Sequence, residues 1–117
     1  MPMSPTEKSD QRDLFRGALE MMILQSLRRQ PMHGYALVQH IKQRSNDLLQ
    51  VEEGSLYPAL HRMLIKGWVT AKWGTTAGNR RARYYQLTTA GRKQLSVEVS
   101  QFQRVMGAIA RVIEATP

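Results

Sequence analysis

The apolar pattern of this chain changes period twice, and nothing else in the sequence restricts the fold as much. Up to Gly67 the apolar residues recur at helical spacing, from Trp68 to Leu87 they follow the alternation of strands, and from Thr88 the helical spacing returns. A segment patterned for a helix does not sit stably as a strand. The chain is therefore expected to be mainly α with a small β-hairpin, the hairpin standing between three short helices and one long one.

The first helical stretch carries Phe15, Ala18, Leu19, Met22, Ile23 and Leu27 on one broad face. Asp13 is its candidate N-cap, and Pro31 stops it just after Arg28-Arg29-Gln30. A second helix is predicted from Gly34 to Arg44, with Leu37, Val38 and Ile41 inward and Ser45-Asn46-Asp47 as its turn. A third begins near Gly54 or Ser55, because Pro58 has no N–H and is harmless in a first turn; Gly67 is its C-terminal cap. Its inner face is Leu56, Leu60, Met63 and Leu64.

Trp68-Val69-Thr70-Ala71-Lys72-Trp73 and Arg83-Tyr84-Tyr85-Gln86-Leu87 read as two strands, joined by a glycine-rich, basic tip from Gly74 to Ala82. Both tryptophans are read as core and wing-packing residues. The last helix runs from Thr88 or Thr89 to about Ala115. Along it Leu95, Val99, Phe102, Met106, Ile109 and Ile113 step by four and three in turn, a short heptad seam. At ~1.5 Å per residue this helix is ~40 Å long, more than a core this small can cover, so the seam calls for a partner, most simply a second copy. Phe15, Leu19 and Met22 are expected to add to the same dimer interface, and Phe15, Met22, Phe102 and Met106 to surround a pocket at its centre.

The boundaries that follow are a disordered tail over residues 1–12, a winged helix-turn-helix domain over 13–87, and a dimerisation helix over 88–117. The longest apolar run, Met21-Met22-Ile23-Leu24, is far below the ~20 residues of a membrane span, and the N-terminus lacks the apolar stretch of a signal peptide. A cytoplasmic protein without membrane contact is expected.

Charge then narrows the function. The 117 residues carry a formal net charge of +8, and no Asp or Glu occurs between Gly54 and Val97. Arg62, Lys66, Lys72, Arg80, Arg81, Arg83, Arg92 and Lys93 all fall in that window. An acid-free basic stretch inside a folded domain suits a polyanion. The chain has no cysteine, and His33, His40 and His61 stand far apart, so no metal site and no cofactor is expected; His33 is read as hydrogen-bonding locally beside Gly34. No nucleophile–base pairing can be argued, so no enzyme is expected.

Three helices and a ribbon form the winged helix-turn-helix arrangement, in which the third helix enters the major groove of double-stranded DNA. The outer positions of that helix are Ser55, Tyr57, Pro58, His61 and Arg62, with Arg62 able to grip guanine; Tyr57 and Pro58 have the alternative role of setting the start of the helix. Arg80 and Arg81 at the ribbon tip, with Lys72 and Arg83 on its strands, would lie along phosphates or in the minor groove.

Three motifs in order, Pro31-Met32-His33-Gly34-Tyr35, Glu53-Gly54-Ser55-Leu56-Tyr57-Pro58-Ala59-Leu60-His61-Arg62-Met63 and Arg83-Tyr84-Tyr85-Gln86-Leu87-Thr88-Thr89-Ala90-Gly91, resemble the PadR family of bacterial transcriptional regulators. The resemblance runs from about Leu14 to the end. It is greatest to the short subgroup with a single C-terminal helix, and within it to a set common in acidobacterial genomes.

The resemblance implies a homodimeric repressor that binds an inverted-repeat operator and is released by a small apolar or aromatic effector. Carried over by position, it adds Tyr35 to the DNA-facing residues. In the short subgroup a tryptophan in the last helix can line the effector pocket; this chain has Phe102 there, which keeps the aromatic face and lacks the indole N–H.

Two other classes stand beside the repressor. A non-specific architectural nucleic-acid-binding protein would need the basic ribbon and no shaped outer face on the third helix. A helical interaction protein would pair its last helix with a different partner.

Overall fold

The structure, a computed structural model, describes residues 17–114. Helix α1 is described over residues 17–26, followed by β1 (Met32–His33), α2 (Gly34–Arg44), α3 (Glu53–Ile65), β2 (Val69–Thr75), β3 (Arg81–Leu87) and α4 (Thr89–Glu114). The expected tail, the Asp13 cap and Phe15 lie outside the described residues. The fold class is the expected one: helices with a small antiparallel sheet and a long C-terminal helix.

Two details differ from the sequence reading. Helix α1 ends at residue 26 rather than Gln30, its last turn tightened by Arg28 N–H donating to the Gln25 carbonyl at 3.2 Å. Pro31 disfavours helical backbone at the residue before it, so the end of the helix unwinds ahead of the proline. The ribbon also gains a third strand. Met32 pairs with Tyr85 and His33 with Tyr84, which puts β3 at the centre of a sheet ordered β1-β3-β2. A two-residue strand is too short to show a period in sequence.

Helix α2 starts where expected, because His33 caps it: the Ala36 N–H donates to His33 Nδ1 at 3.2 Å. Asn46 and Asp47 take left-handed backbone in the turn that follows. Helix α3 begins at Glu53, one residue earlier than expected, so Pro58 falls in the second turn rather than the first. Its ring removes one helical hydrogen bond, to the Gly54 carbonyl. Both residues are exposed, and water can serve that carbonyl. At the other end Gly67 adopts φ +75°, and Trp68 N–H closes the helix onto the Met63 carbonyl at 2.9 Å.

The core is continuous through all layers. Leu19, Ile23, Leu24 and Leu27 of α1 meet Leu37 and Ile41 of α2, Leu56, Ala59, Leu60 and Met63 of α3, and Val69, Tyr85 and Leu87 of the sheet. Helix α4 is fastened to this core at its start. Thr88 Oγ1 donates to the Gly67 carbonyl at 2.7 Å and accepts from Gly91 N–H at 3.0 Å, capping α4 and tying it to the α3–β2 corner. Gly91 permits the approach: a Cβ there would collide with the Trp68 carbonyl and come within 2.8 Å of Leu87 Cδ1.

This packing corrects two expectations about the dimer seam. Leu19 and Leu95 are 1% and 6% exposed within the chain's own core, so neither side chain is available to a second copy. A heptad pattern records which face is apolar, not which molecule covers it.

Candidate nucleic-acid interface

Strand register sorts the ribbon into two faces. Val69 pairs with Leu87, Ala71 with Tyr85, Trp73 with Arg83 and Thr75 with Arg81. Directly paired residues share a face, and the first of these, Val69, Leu87 and Tyr85, are buried in the core. Trp73, Arg83 and Arg81 therefore continue the inner face beyond the core. The opposite face holds the pairs Thr70–Gln86, Lys72–Tyr84 and Gly74–Ala82. Lys72 is thus turned away from Arg81 and Arg83, which corrects its grouping with them.

The inner face of the ribbon is one wall of a groove of 770 Å³, and the N-terminal ends of α2 and α3 form the other. Tyr35 and Tyr57 line the helical wall; Trp73, Arg81 and Arg83 line the ribbon wall; Arg80 stands at the rim. The tip itself is ordered. Residues 76–80 close with Thr76 N–H donating to the Arg80 carbonyl at 2.8 Å, Arg80 N–H donating to Thr76 Oγ1 at 3.2 Å, and Asn79 in left-handed backbone. Among the described residues Arg80, Arg81 and Arg83 have no carboxylate within ion-pair distance. Arg81 lies over the Trp73 ring at 4.9 Å and Arg83 over Tyr85 at 6.0 Å.

On the helical wall Tyr57 has both of the roles weighed for it. It is half-exposed at the groove, and its phenol lies where a Cβ of Gly34 would be, 2.6 Å from that position. Burial there raises the Tyr57 phenol above its ordinary value, with the Glu53 carboxylate and Tyr85 adding to the shift. It stays protonated at neutral pH, able to donate as well as accept. Pro58 and His61 are exposed and Ser55 is half-buried, but none of the three lines this groove.

Arg62 is not a free guanidinium on the outer face. Its Nε donates to Glu20 Oε1 of α1 at 2.9 Å, joining two helices across 42 residues of chain. Position 62 lies on the flank of α3, and a buried carboxylate waits there. Sequence reading missed Glu20, although an acid set between Leu19 and Met21 in an apolar face was a visible signal. It also missed Trp73, 63% exposed in the groove rather than packed away; the period of two from Val69 through Ala71 already placed it on the inner face.

A second cluster lies at the back of α3. Glu98 of α4 accepts from Gln94 Nε2 at 3.0 Å through Oε1, while its buried Oε2 has no hydrogen-bond partner among the described residues. Burial raises its carboxyl, opposed by the Gln94 bond; Glu20 raises it further and Lys66 lowers it.

Beyond Val99, α4 leaves the core. Phe102, Val105, Met106, Ile109, Val112 and Ile113 are all exposed, from 44% to 78%. Where α4 parts from α1 and α2, a groove of 430 Å³ is lined by Met21, Met22, His40, Leu49, Val99 and Phe102 among others. Met22 and Phe102 of the expected pocket meet there; Met106 does not line it. No described helix is long and apolar enough to cross a membrane.

Comparison with known proteins agrees with this geometry. The transcriptional regulator PadR-like family matches residues 23–97. A transcriptional regulator of Mycobacterium tuberculosis is 29% identical over 102 residues, covering 87% of this chain and 88% of that one. A PadR family transcriptional regulator from Eggerthella lenta superposes with a TM-score of 0.74 at 26% identity, covering 95% of each chain. A transcriptional regulator from Clostridium thermocellum superposes with a TM-score of 0.78 at 24% identity over 87% of this chain and 99% of that one.

Proposed function

This chain belongs to the transcriptional regulator PadR-like family, and on that premise we propose that it is a homodimeric repressor reading an inverted-repeat operator and released by a small effector. The observation that carries the reading is the groove between the α2–α3 ends and the ribbon, where three arginines, without a carboxylate partner among the described residues, share the lining with Tyr35 and Tyr57. Helix α3 presents Ser55, Tyr57, Pro58 and His61 to the major groove, and Arg80, Arg81 and Arg83 follow the adjacent backbone. Arg62 ties α3 to α1 through its Nε and, still partly exposed, is offered to the same duplex from the flank of α3.

The exposed outer half of α4 supports pairing of two copies through Phe102, Met106, Ile109 and Ile113, with Val99 and Met22 at the edge of the contact. Two-fold pairing matches a palindromic operator. The groove under Phe102 supports an apolar or aromatic effector, since it opens between the elements whose relative placement sets the distance between two α3 helices. A family of regulators gives no reason to look for an enzyme, and the fold supports a protein that acts in the compartment holding the DNA.

The test is selection of bound duplexes from a random DNA pool, with the winners assayed across salt. An enriched inverted repeat with half-sites about ten base pairs apart is the expected result. No enrichment, with steep salt dependence on every duplex, would instead favour an architectural nucleic-acid-binding protein.

A further inference from the structure

We infer that Trp73 contacts DNA: its ring lies against a deoxyribose of the backbone bordering the minor groove, and it braces Arg81 toward the neighbouring phosphate. The inference rests on the DNA-binding reading above and adds to it a contact residue that is not an arginine.

Position is the first argument. Trp73 is on the inner face of the ribbon, in register with Arg83 and next on that face to the Thr75–Arg81 pair. An aromatic ring thus stands between two unpaired guanidiniums, in the groove that the regulator reading assigns to DNA. A charged backbone passing through this groove offers alternating phosphates and sugars, which match alternating arginine and ring.

Depth is the second argument. Trp73 is set back from the tip loop by two strand residues, about 7 Å at the rise of an extended chain. The tip, with Arg80, reaches further into a groove than the ring does. A ring at that setback meets the backbone rather than a base edge.

The environment of the ring points the same way. The residues before it on this face, Val69 and Ala71, pack in or against the core, whereas Trp73 is mostly exposed with Arg81 over its ring at 4.9 Å. A guanidinium stacked on an indole is held in few rotamers and loses less freedom when it engages a phosphate. Lys72, one residue earlier, faces the other way and supplies the internal control.

The protein has two tryptophans, so a W68F variant reports Trp73 fluorescence alone; should W68F not fold, the intact chain measured against W73F gives the same signal by difference. Acrylamide quenching is measured free and saturated with the duplex enriched from the random pool, while the anisotropy of a dye on that duplex follows binding. Strong protection of Trp73 on saturation is expected. W73A should weaken binding about fivefold or more, the loss expected of a buried aromatic contact at an interface. W73F should recover most of the loss, and K72A should change affinity less than threefold or so, as one screened charge.

W73A and R81A should also be non-additive, because one residue acts partly through the other. Unchanged quenching at full saturation, or additive losses with no rescue by phenylalanine, would overturn the inference and leave the regulator reading intact. Absence of binding to any duplex would overturn both.

Discussion

The two halves of α4 are one continuous helix in two different situations. From Thr89 to Val99 it is held by Thr88, admitted by Gly91 and closed over by Leu95, with Glu98 accepting from Gln94. From Phe102 to Ile109 the same apolar repeat continues with Phe102, Met106 and Ile109 exposed. Among the described residues the core is complete without the outer half, and the proposed second copy is what would cover it. The inner half sets where α4 points relative to α3, and the outer half sets where a second α3 would stand.

The sharpest way to break this contrast is a charge in the outer half. Phe102→Asp should raise the dimer dissociation constant at least about 100-fold, since an unpaired charge buried in each of two copies costs several kcal/mol. Thermal unfolding measured at concentrations below the dimer dissociation constant should move far less, because Phe102 is already 46% exposed in the single chain. Sedimentation velocity beside a melting curve separates the two effects, and an unaltered dimer would place the interface elsewhere.

The reciprocal change lies in the inner half. Leu95→Ala should cost about 2–4 kcal/mol of unfolding free energy through the cavity it leaves. Urea denaturation measures it; a loss below about 1 kcal/mol would show that Leu95 is not part of the chain's own core.

The smallest effect sharpens the account of how α4 sits on α3. Burial raises the Glu98 carboxyl, and among the described residues one of its oxygens lacks a partner. A carboxyl raised on folding binds more protons in the native state, so it disfavours folding at neutral pH, and that penalty disappears as pH falls through the raised value toward the ordinary one. Glu98→Gln should therefore stabilise the fold modestly at pH 7, and the gain should vanish by about pH 4. Denaturation midpoints of both proteins at the two pH values check the sign; a gain that persists in acid would mean that Glu98 acts through packing rather than charge.

How much of this was legible in sequence follows from the range of each interaction. The bounds of α2, the Gly67 stop and the Thr88 cap depend on residues a few positions apart, and each stands where the local chemistry puts it. Strand β1 escaped because pairing with Tyr84 and Tyr85 defines it, not its own two residues. Arg62 was misplaced for the same kind of reason: helical geometry put it near the outer face, and a carboxylate 42 residues earlier drew it to the flank.

Lys72 and Trp73 are a different case. Their faces follow from the period of two alone, counted from Val69, where the strand begins; beginning it at Trp68 blurred the parity. The heptad seam in α4 was read correctly as apolar, yet one pattern served two surfaces, Leu95 inward and Phe102 outward. Only packing divides them.

The most direct test is the mass of the intact chain by equilibrium sedimentation across a wide concentration range. If the outer half of α4 is covered by a second copy, the mass should be twice 13.4 kDa and should fall toward a single chain in Phe102→Asp. A mass of 13.4 kDa at every concentration would leave that face without its partner and contradict the two-fold reading of the operator.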